Sequence, residues 1–197
     1  MTTIDALIAD LGSPDRLLRN KAVWSLKKLG EAARSAVPAL KLLLDDHDEQ
    51  YIRICAAGAI GKIAPEEPAA VPVLIEGLSD PIGLHRAAAC EFLGDMKHKT
   101  AVLRTMQLFN DPDFIVRFAA AKSVGRTFGE WMHATAMCVE MLKDSSETSR
   151  VIGAECLLSI RRYVRDHLDL LEMAIADDAP WEVRLNIEEI LAELRKQ

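Results

Sequence analysis

Asp111-Pro112-Asp113-Phe114-Ile115-Val116-Arg117-Phe118-Ala119-Ala120-Ala121-Lys122-Ser123-Val124-Gly125 is the stretch on which the fold turns. Asp111 suits a helix N-cap, since its carboxylate can accept from free amide N–H groups, and Pro112 suits the first helical position, where no donor is needed. A helix is therefore expected from Asp111 to Gly125. Counting from Arg117, the residues three, four, seven and eleven positions on are Ala120, Ala121, Val124 and Phe128. At 100 degrees per residue they share one side, which is expected to be core.

The same template recurs along the chain, with an arginine at Arg19, Arg53, Arg86, Arg117, Arg150 and Arg184, spaced by 34, 33, 31, 33 and 34 residues. A fixed period of this length is the signature of a repeat architecture. Three and four positions after each arginine stand Ala22-Val23, Ala56-Ala57, Ala89-Cys90, Ala120-Ala121, Gly153-Ala154 and Ile187-Glu188. Small residues in five of these six pairs let neighbouring helices approach closely. The seventh position (Leu26, Ile60, Leu93, Val124, Leu157, Leu191) and the tenth (Leu29, Ile63, Met96, Thr127, Ile160, Leu194) supply larger core side chains.

Composition agrees with a helical array. Half of the 197 residues are apolar but only 5% are aromatic, so the core is built from Ala, Leu, Ile and Val. The unbroken period predicts one stacked domain over 1–197, with repeats near 1–30, 31–64, 65–97, 98–129, 130–163 and 164–197 and no internal linker. The expected fold class is all-α, a right-handed α-α superhelix of about six helical hairpins.

A formal net charge of -6 disfavours a general nucleic-acid binder, whose affinity would rest on cationic contacts to phosphate. The charge is uneven: residues 12–44 hold seven Lys or Arg against Asp15 and Glu31, while 45–80 hold eight acids against Arg53 and Lys62. A basic end beside an acidic band is expected. Cys55, Cys90, Cys138 and Cys156 have no C-x-x-C spacing and occupy helical packing positions, which reads as reduced structural thiols. The N-terminal residues lack the pattern of a signal peptide and no apolar run approaches a membrane span, so a cytoplasmic location is expected.

In chain order, a first helix over 3–11 is followed by a second over 14–29, begun by Ser13-Pro14 and stopped at Gly30. We call the first and second helix of each hairpin A and B. Ala36-Val37-Pro38 and Ala70-Val71-Pro72 open the next two A helices, with B helices over 48–63 and 81–95. Hairpins 99–109 with the template helix, and 130–142 with 145–163, follow. The last B helix begins at Asp178-Ala179-Pro180 and carries Glu188, Glu189, Glu193, Arg195 and Lys196, as suits a terminal repeat whose outer side meets water.

The run Val-Arg-x-x-Ala-Ala-x-x-Val-Gly from Val116 to Gly125, in hairpins of this length, resembles HEAT repeats, and most of all the short variety named after phycobilisome lyases. Asp80, Asp111, Asp144 and Asp178 each lie six residues before Arg86, Arg117, Arg150 and Arg184, which resembles the family's Asp and Arg ladder between stacked repeats. Ser13 and His47 hold those places in the first two repeats, with Asp46 or Asp48 as a possible substitute. The resemblance covers essentially the whole chain, and it implies a fold that hosts many roles.

No nucleotide-binding, phosphate-loop, zinc-protease or nucleophile-elbow pattern is present. No catalytic, cofactor-binding or metal-ligating residue is therefore assigned. The histidines His47, His85, His98, His133 and His167 are none of them followed by glutamate, which disfavours the di-iron HEAT-like enzyme deoxyhypusine hydroxylase. His85 reads as a half-buried packing histidine, and Asp45-Asp46 with Asp48 and Glu49 as a solvated turn.

Opposite the core side of each B helix, the expected concave surface carries an apolar stripe: Trp24, Tyr51, Ile54, Leu84, Phe114, Ile115, Phe118, Val151, Ile152, Trp181 and Leu185, punctuated by Glu91, Lys122, Glu155 and Glu189. A continuous apolar stripe with aromatics marks a partner site. Gly58 in mid-array leaves room there for a ligand segment. The competing reading packs these positions against adjacent B helices. The leading functional expectation is a non-enzymatic scaffold binding a protein or peptide segment on this face, of open oligomeric state, without membrane contact. The alternative is an accessory subunit resembling the bilin lyases, which attach linear tetrapyrroles, and a distant third resembles HEAT-like DNA glycosylases.

Overall fold

The computed structural model describes residues 3–45, 49–129, 131–145, 147–161, 164, 172 and 181–194. Among them there is helix and turn but no strand. The chain forms two compact units, 1–128 and 129–197. The break falls at Gly129, whose φ of 78° lies in the left-handed region that favours glycine and ends the template helix.

The first unit contains α1 (Ile4–Asp10), α2 (Arg16–Leu29), α3 (Val37–Leu42), α4 (Gln50–Ile63), α5 (Ala70–Gly77), α6 (Gly83–Asp95), α7 (Val102–Gln107) and α8 (Phe114–Phe128). Successive B helices α2, α4, α6 and α8 pack side by side, while α1, α3, α5 and α7 cover one side of that layer. The core between the layers holds Leu26, Leu40, Ile60, Leu74 and Leu93, each at most 2% exposed. Pro38 and Pro72 fall in the first turns of α3 and α5, as expected.

Helix starts depart from the expectation in a consistent way. Asp111 does not cap α8; Asp113 does, its Oδ1 accepting from the Ile115 N–H at 2.9 Å, so the helix begins at Phe114. Likewise Asp15 rather than Ser13 caps α2, accepting from the Leu17 N–H. The Asp-Pro and Ser-Pro pairs make a turn ahead of the helix, in which Asp111 Oδ1 and Ser13 Oγ accept from the N–H two residues on. Two positions assigned to core are also corrected: Phe128 is 50% and Leu29 45% exposed, because both close the last turn of their helices.

The second unit contains α9 (Met132–Leu142), α10 (Glu147–Ile160) and α11 (Trp181–Leu194), with α10 packed on both of the others. Its core includes Ala134, Cys138, Leu157, Ile160, Val183 and Ile187. Gly153 lets α10 approach α9: a Cβ there would lie 2.8 Å from that of Met141. The Asp178-Ala179-Pro180 start lies outside the described residues.

Candidate interaction face

Arg86 and Asp111 form a rung between repeats, and its geometry explains the turn. Arg86 donates Nε and Nη2 to the two carboxylate oxygens of Asp111, one repeat on, both at 2.8 Å. Its Nη1 donates to the carbonyls of Asp80 and Pro81, at 2.7 and 3.0 Å. Arg117 donates to the carbonyls of Asp111 and Pro112, Arg150 to those of Asp144 and Ser145, and Arg19 to those of Ser13 and Pro14. Each arginine thus staples the turn before its own helix, satisfying carbonyls that the helix does not use. Hydrogen bonding from Arg86 holds the Asp111 carboxyl below its ordinary range and raises the guanidinium in turn. Asp178 lies outside the described residues, and Arg184 is half-buried and engaged.

Three ladder expectations change. Asp80 spends its carboxylate on the Ile82 N–H and on Nδ1 of His85, at 2.8 and 3.0 Å, so His85 is a packing histidine, stacked on Tyr51 at 5.6 Å. Arg53, buried, turns instead to the Leu44 carbonyl and Glu76. At the first repeat the acid that meets Arg16 and Arg19 is Glu49, at 3.0 and 4.0 Å; Asp46 and Asp48 lie outside the described residues.

The apolar stripe is only partly open. Ile54 is 0% exposed and Phe118 7%, so both leave the list of accessible residues. Side by side packing of α4 with α2 and α6, and of α8 with α6, consumes the flanks of each B helix. Phe118 stacks on half-buried Phe114 at 6.2 Å, with Lys122 Nζ 5.7 Å from its ring. Tyr51 is half-buried, and burial followed by its partner Cys55 pushes its hydroxyl pKa up. Leu84, Ile115 and Trp24 are exposed. In the second unit Trp181, Leu185 and Glu155 are exposed, and Val151 and Ile152 half-buried.

Gly58 is not a vacancy. A Cβ built there would fall within 2.6 Å of three ring carbons of Phe92, one repeat on, and one at Gly61 within 2.9 Å of three side-chain atoms of Met96. The glycines are sockets for Phe92 of α6 and for Met96, the residue just after that helix. Passing over Gly58, Phe92 reaches Trp24 on α2, ring centroids 6.0 Å apart. Helices two repeats apart therefore touch on the open side of the B layer.

That side has two halves. At the N-terminal ends of the B helices the second residue before each repeat arginine is Leu17, Tyr51, Leu84 and Ile115. At the C-terminal ends runs a chain of charges: Lys27 to Asp95 at 3.7 Å, Asp95 to Arg126 at 2.9 Å, Arg126 to Glu91 at 3.2 Å, Glu91 to Lys122 at 2.9 Å. Burial alone would raise the Glu91 carboxyl, but hydrogen bonds and charge from Lys122 and Arg126 prevail and hold it below the ordinary range. Beside this chain lies a depression of about 550 Å³ lined by Trp24, Lys27, Lys28, Lys62 and Asp95. Sequence reasoning found Trp24, Glu91 and Lys122 but missed Leu17, Lys27, Phe92, Asp95 and Arg126. The legible signal was complementarity across one period, Gly58 and Gly61 against Phe92 and Met96.

Paired helices stacked by period, with Arg19, Arg86, Arg117 and Arg150 stapling the turns before their helices, define an α-solenoid repeat protein. HEAT repeats are matched over residues 4–83 and 71–136, well over half of the chain, and the chain belongs to the HEAT-repeat family. No curated protein sequence matches it. Among solved structures, it is similar to the complex of CpcE and CpcF of phycocyanin lyase from Nostoc sp. PCC7120, at 21% identity and a TM-score of 0.52, covering 98% of this chain and 95% of that one. It is also similar to a crystal structure of an engineered protein, at 17% identity and a TM-score of 0.50 over 100% of both chains. At such identities the likeness is one of fold. No helix among the described residues is long and apolar enough to cross a membrane.

Proposed function

We propose that the chain is a non-enzymatic scaffold that takes a partner polypeptide along the open B-helix face of residues 1–128. One observation carries this reading: the row Leu17, Tyr51, Leu84 and Ile115, one residue per repeat, with Leu17 77%, Leu84 60% and Ile115 44% exposed on adjacent helices. Solvent gains nothing from leaving such side chains in register, whereas a partner segment would bury them together. Helices packed about 9 Å apart make the row roughly 27 Å long. That length suits about eight residues of extended chain or about eighteen of helix. The likeness to the lyase complex supports the fold and adds nothing specific to a tetrapyrrole role.

The test is site-specific photo-crosslinking at positions 84 and 115, with Leu42 and Leu103 on A helices, each 76% exposed, as controls. A shared crosslinked partner segment at 84 and 115, absent at 42 and 103, is the expected result. Without a crosslinker, Leu84→Asp with Ile115→Asp should weaken binding of that partner segment at least about tenfold, since anchors of this kind carry most of an interface's affinity. Equal labelling at all four positions would remove the proposal.

A further inference from the structure

The cations of the basic end meet acids, four of them in the acidic band and Lys27 at Asp95, with two exceptions. Of the seven cations in residues 12–44, Arg16 and Arg19 meet Glu49, Arg34 meets Glu66, Lys41 meets Glu67 at 3.2 Å and Lys27 meets Asp95. The two that meet no acid among the described residues are Lys21 and Lys28. Both line depressions. Lys28 borders the one over Trp24, together with Lys62, which also has no ion pair among the described residues. Lys21 and Lys28, with Asp10 and Ser25, border a second, of about 450 Å³, floored by Leu7, Leu18, Ala22 and Leu29 on the opposite flank of α2. Lys28 is the ridge shared by the two.

A chain with a net charge of -6 thus keeps Lys28 and Lys62 without an ion pair among the described residues at the first depression, and Lys21 and Lys28 at the second, so that lysines outnumber the one aspartate lining each, Asp95 and Asp10. The floor of the first depression is aromatic: Trp24, 44% exposed, rests against buried Phe92 with Lys27 Nζ at 5.0 and 4.4 Å from the two rings. Such ground holds a flat or long apolar side chain, and the lysines at its rim call for carboxylates on the residues beside it. Phosphate polymers fit less well, because their affinity grows with the number of cations they neutralise and here the neighbouring Lys27, Lys122 and Arg126 are already taken.

We propose that the depressions flanking Lys28 dock an acidic partner segment, glutamate- or aspartate-rich with an aromatic or long apolar residue seated on Trp24. This rests on the scaffold reading above and adds to it the chemistry of the partner. Carboxylates would meet Lys21, Lys28 and Lys62, and the partner's apolar residues would continue onto the row at the other end of the B helices.

The test uses the full chain and a fluorescein-labelled, glutamate-rich peptide carrying one phenylalanine, followed by anisotropy. The same peptide with glutamine for glutamate, and an oligothymidylate strand, are the comparators. The expected result is saturable binding of the acidic peptide that weakens by about tenfold or more in Lys28→Glu with Lys62→Glu, is unaltered by Lys99→Glu outside the depressions, and falls with added salt. Trp24→Ala should weaken it as well, and unchanged circular dichroism in each variant excludes loss of fold. The proposal is overturned if the glutamine peptide binds as tightly, if oligothymidylate competes equally through the same lysines, or if no saturation is reached by ~1 mM acidic peptide. If partner crosslinking from position 115 survives Lys28→Glu with Lys62→Glu but is lost in Leu84→Asp, the scaffold role stands and the acidic assignment falls.

Discussion

Replacing Gly58 by alanine puts the packing across repeats to a test in which the sign of the effect decides. Alanine in the middle of α4 would ordinarily stabilise the helix by about 1 kcal/mol relative to glycine. Here its Cβ would sit within 2.6 Å of three carbons of the Phe92 ring, whose near edge has no free rotor to swing aside. Overpacking of that kind costs about 1–3 kcal/mol. Moving the ring also forfeits part of its pairing with Trp24, worth about 0.5–1.5 kcal/mol. The clash and the lost pair outweigh the helix gain, so Gly58→Ala should destabilise the first unit by about 1–2 kcal/mol and lower the urea midpoint read by circular dichroism. Phe92→Leu in the same background should recover part of the loss, giving a coupling of about 1 kcal/mol in a double-mutant cycle. A Gly58→Ala protein more stable than the parent by the full helix increment would mean that Phe92 does not occupy the socket, and the floor assigned to the Trp24 depression would go with it.

The Arg86 to Asp111 pair, at 13% and 5% side-chain exposure, should cost about 3 kcal/mol when broken by Arg86→Ala, against under about 1 kcal/mol for Arg34→Ala at the exposed Glu66 pair; thermal melts of the two variants make the comparison. Because the Asp111 carboxyl is held below its ordinary value, its stabilisation is present above about pH 4 and is lost as pH falls through the lower folded value. Urea midpoints of the parent and Asp111→Asn should therefore differ at pH 7, and the gap should narrow as the pH falls below about 4; a gap that stays constant would contradict the pair's role. Burial pushes the thiols of Cys55 and Cys90 up to about 11 and about 12. Their thiolate fractions at pH 8 are then on the order of 10⁻³ and 10⁻⁴, and Ellman's reagent should find neither until the chain is unfolded; rapid labelling of the native protein at either position would refute this burial.

The period, the helical class and the core positions were legible in the residues themselves, because a repeat writes the same packing demand at the same interval. Leu26, Ile60 and Leu93 had to be core wherever their helices lay, and the aspartate six residues before Arg86 and Arg117 marked the stapled turn. Helix starts were misplaced by two or three residues because an Asp-Pro turn and an N-cap use the same residue types, and only the hydrogen bonds separate Asp111 from Asp113.

What a side chain on the far face meets was decided in three dimensions. Periodicity places Ile54, Phe118, Leu84 and Ile115 on the same side, yet lateral packing buries the first two and leaves the others to solvent. Gly58 looked like empty space until Phe92, 34 residues on, was found filling it. A single chain fixes which way each residue points around its own helix axis; how closely the next helix approaches depends on the sizes of residues a whole period away, and that separation turns an apolar stripe into either core or surface.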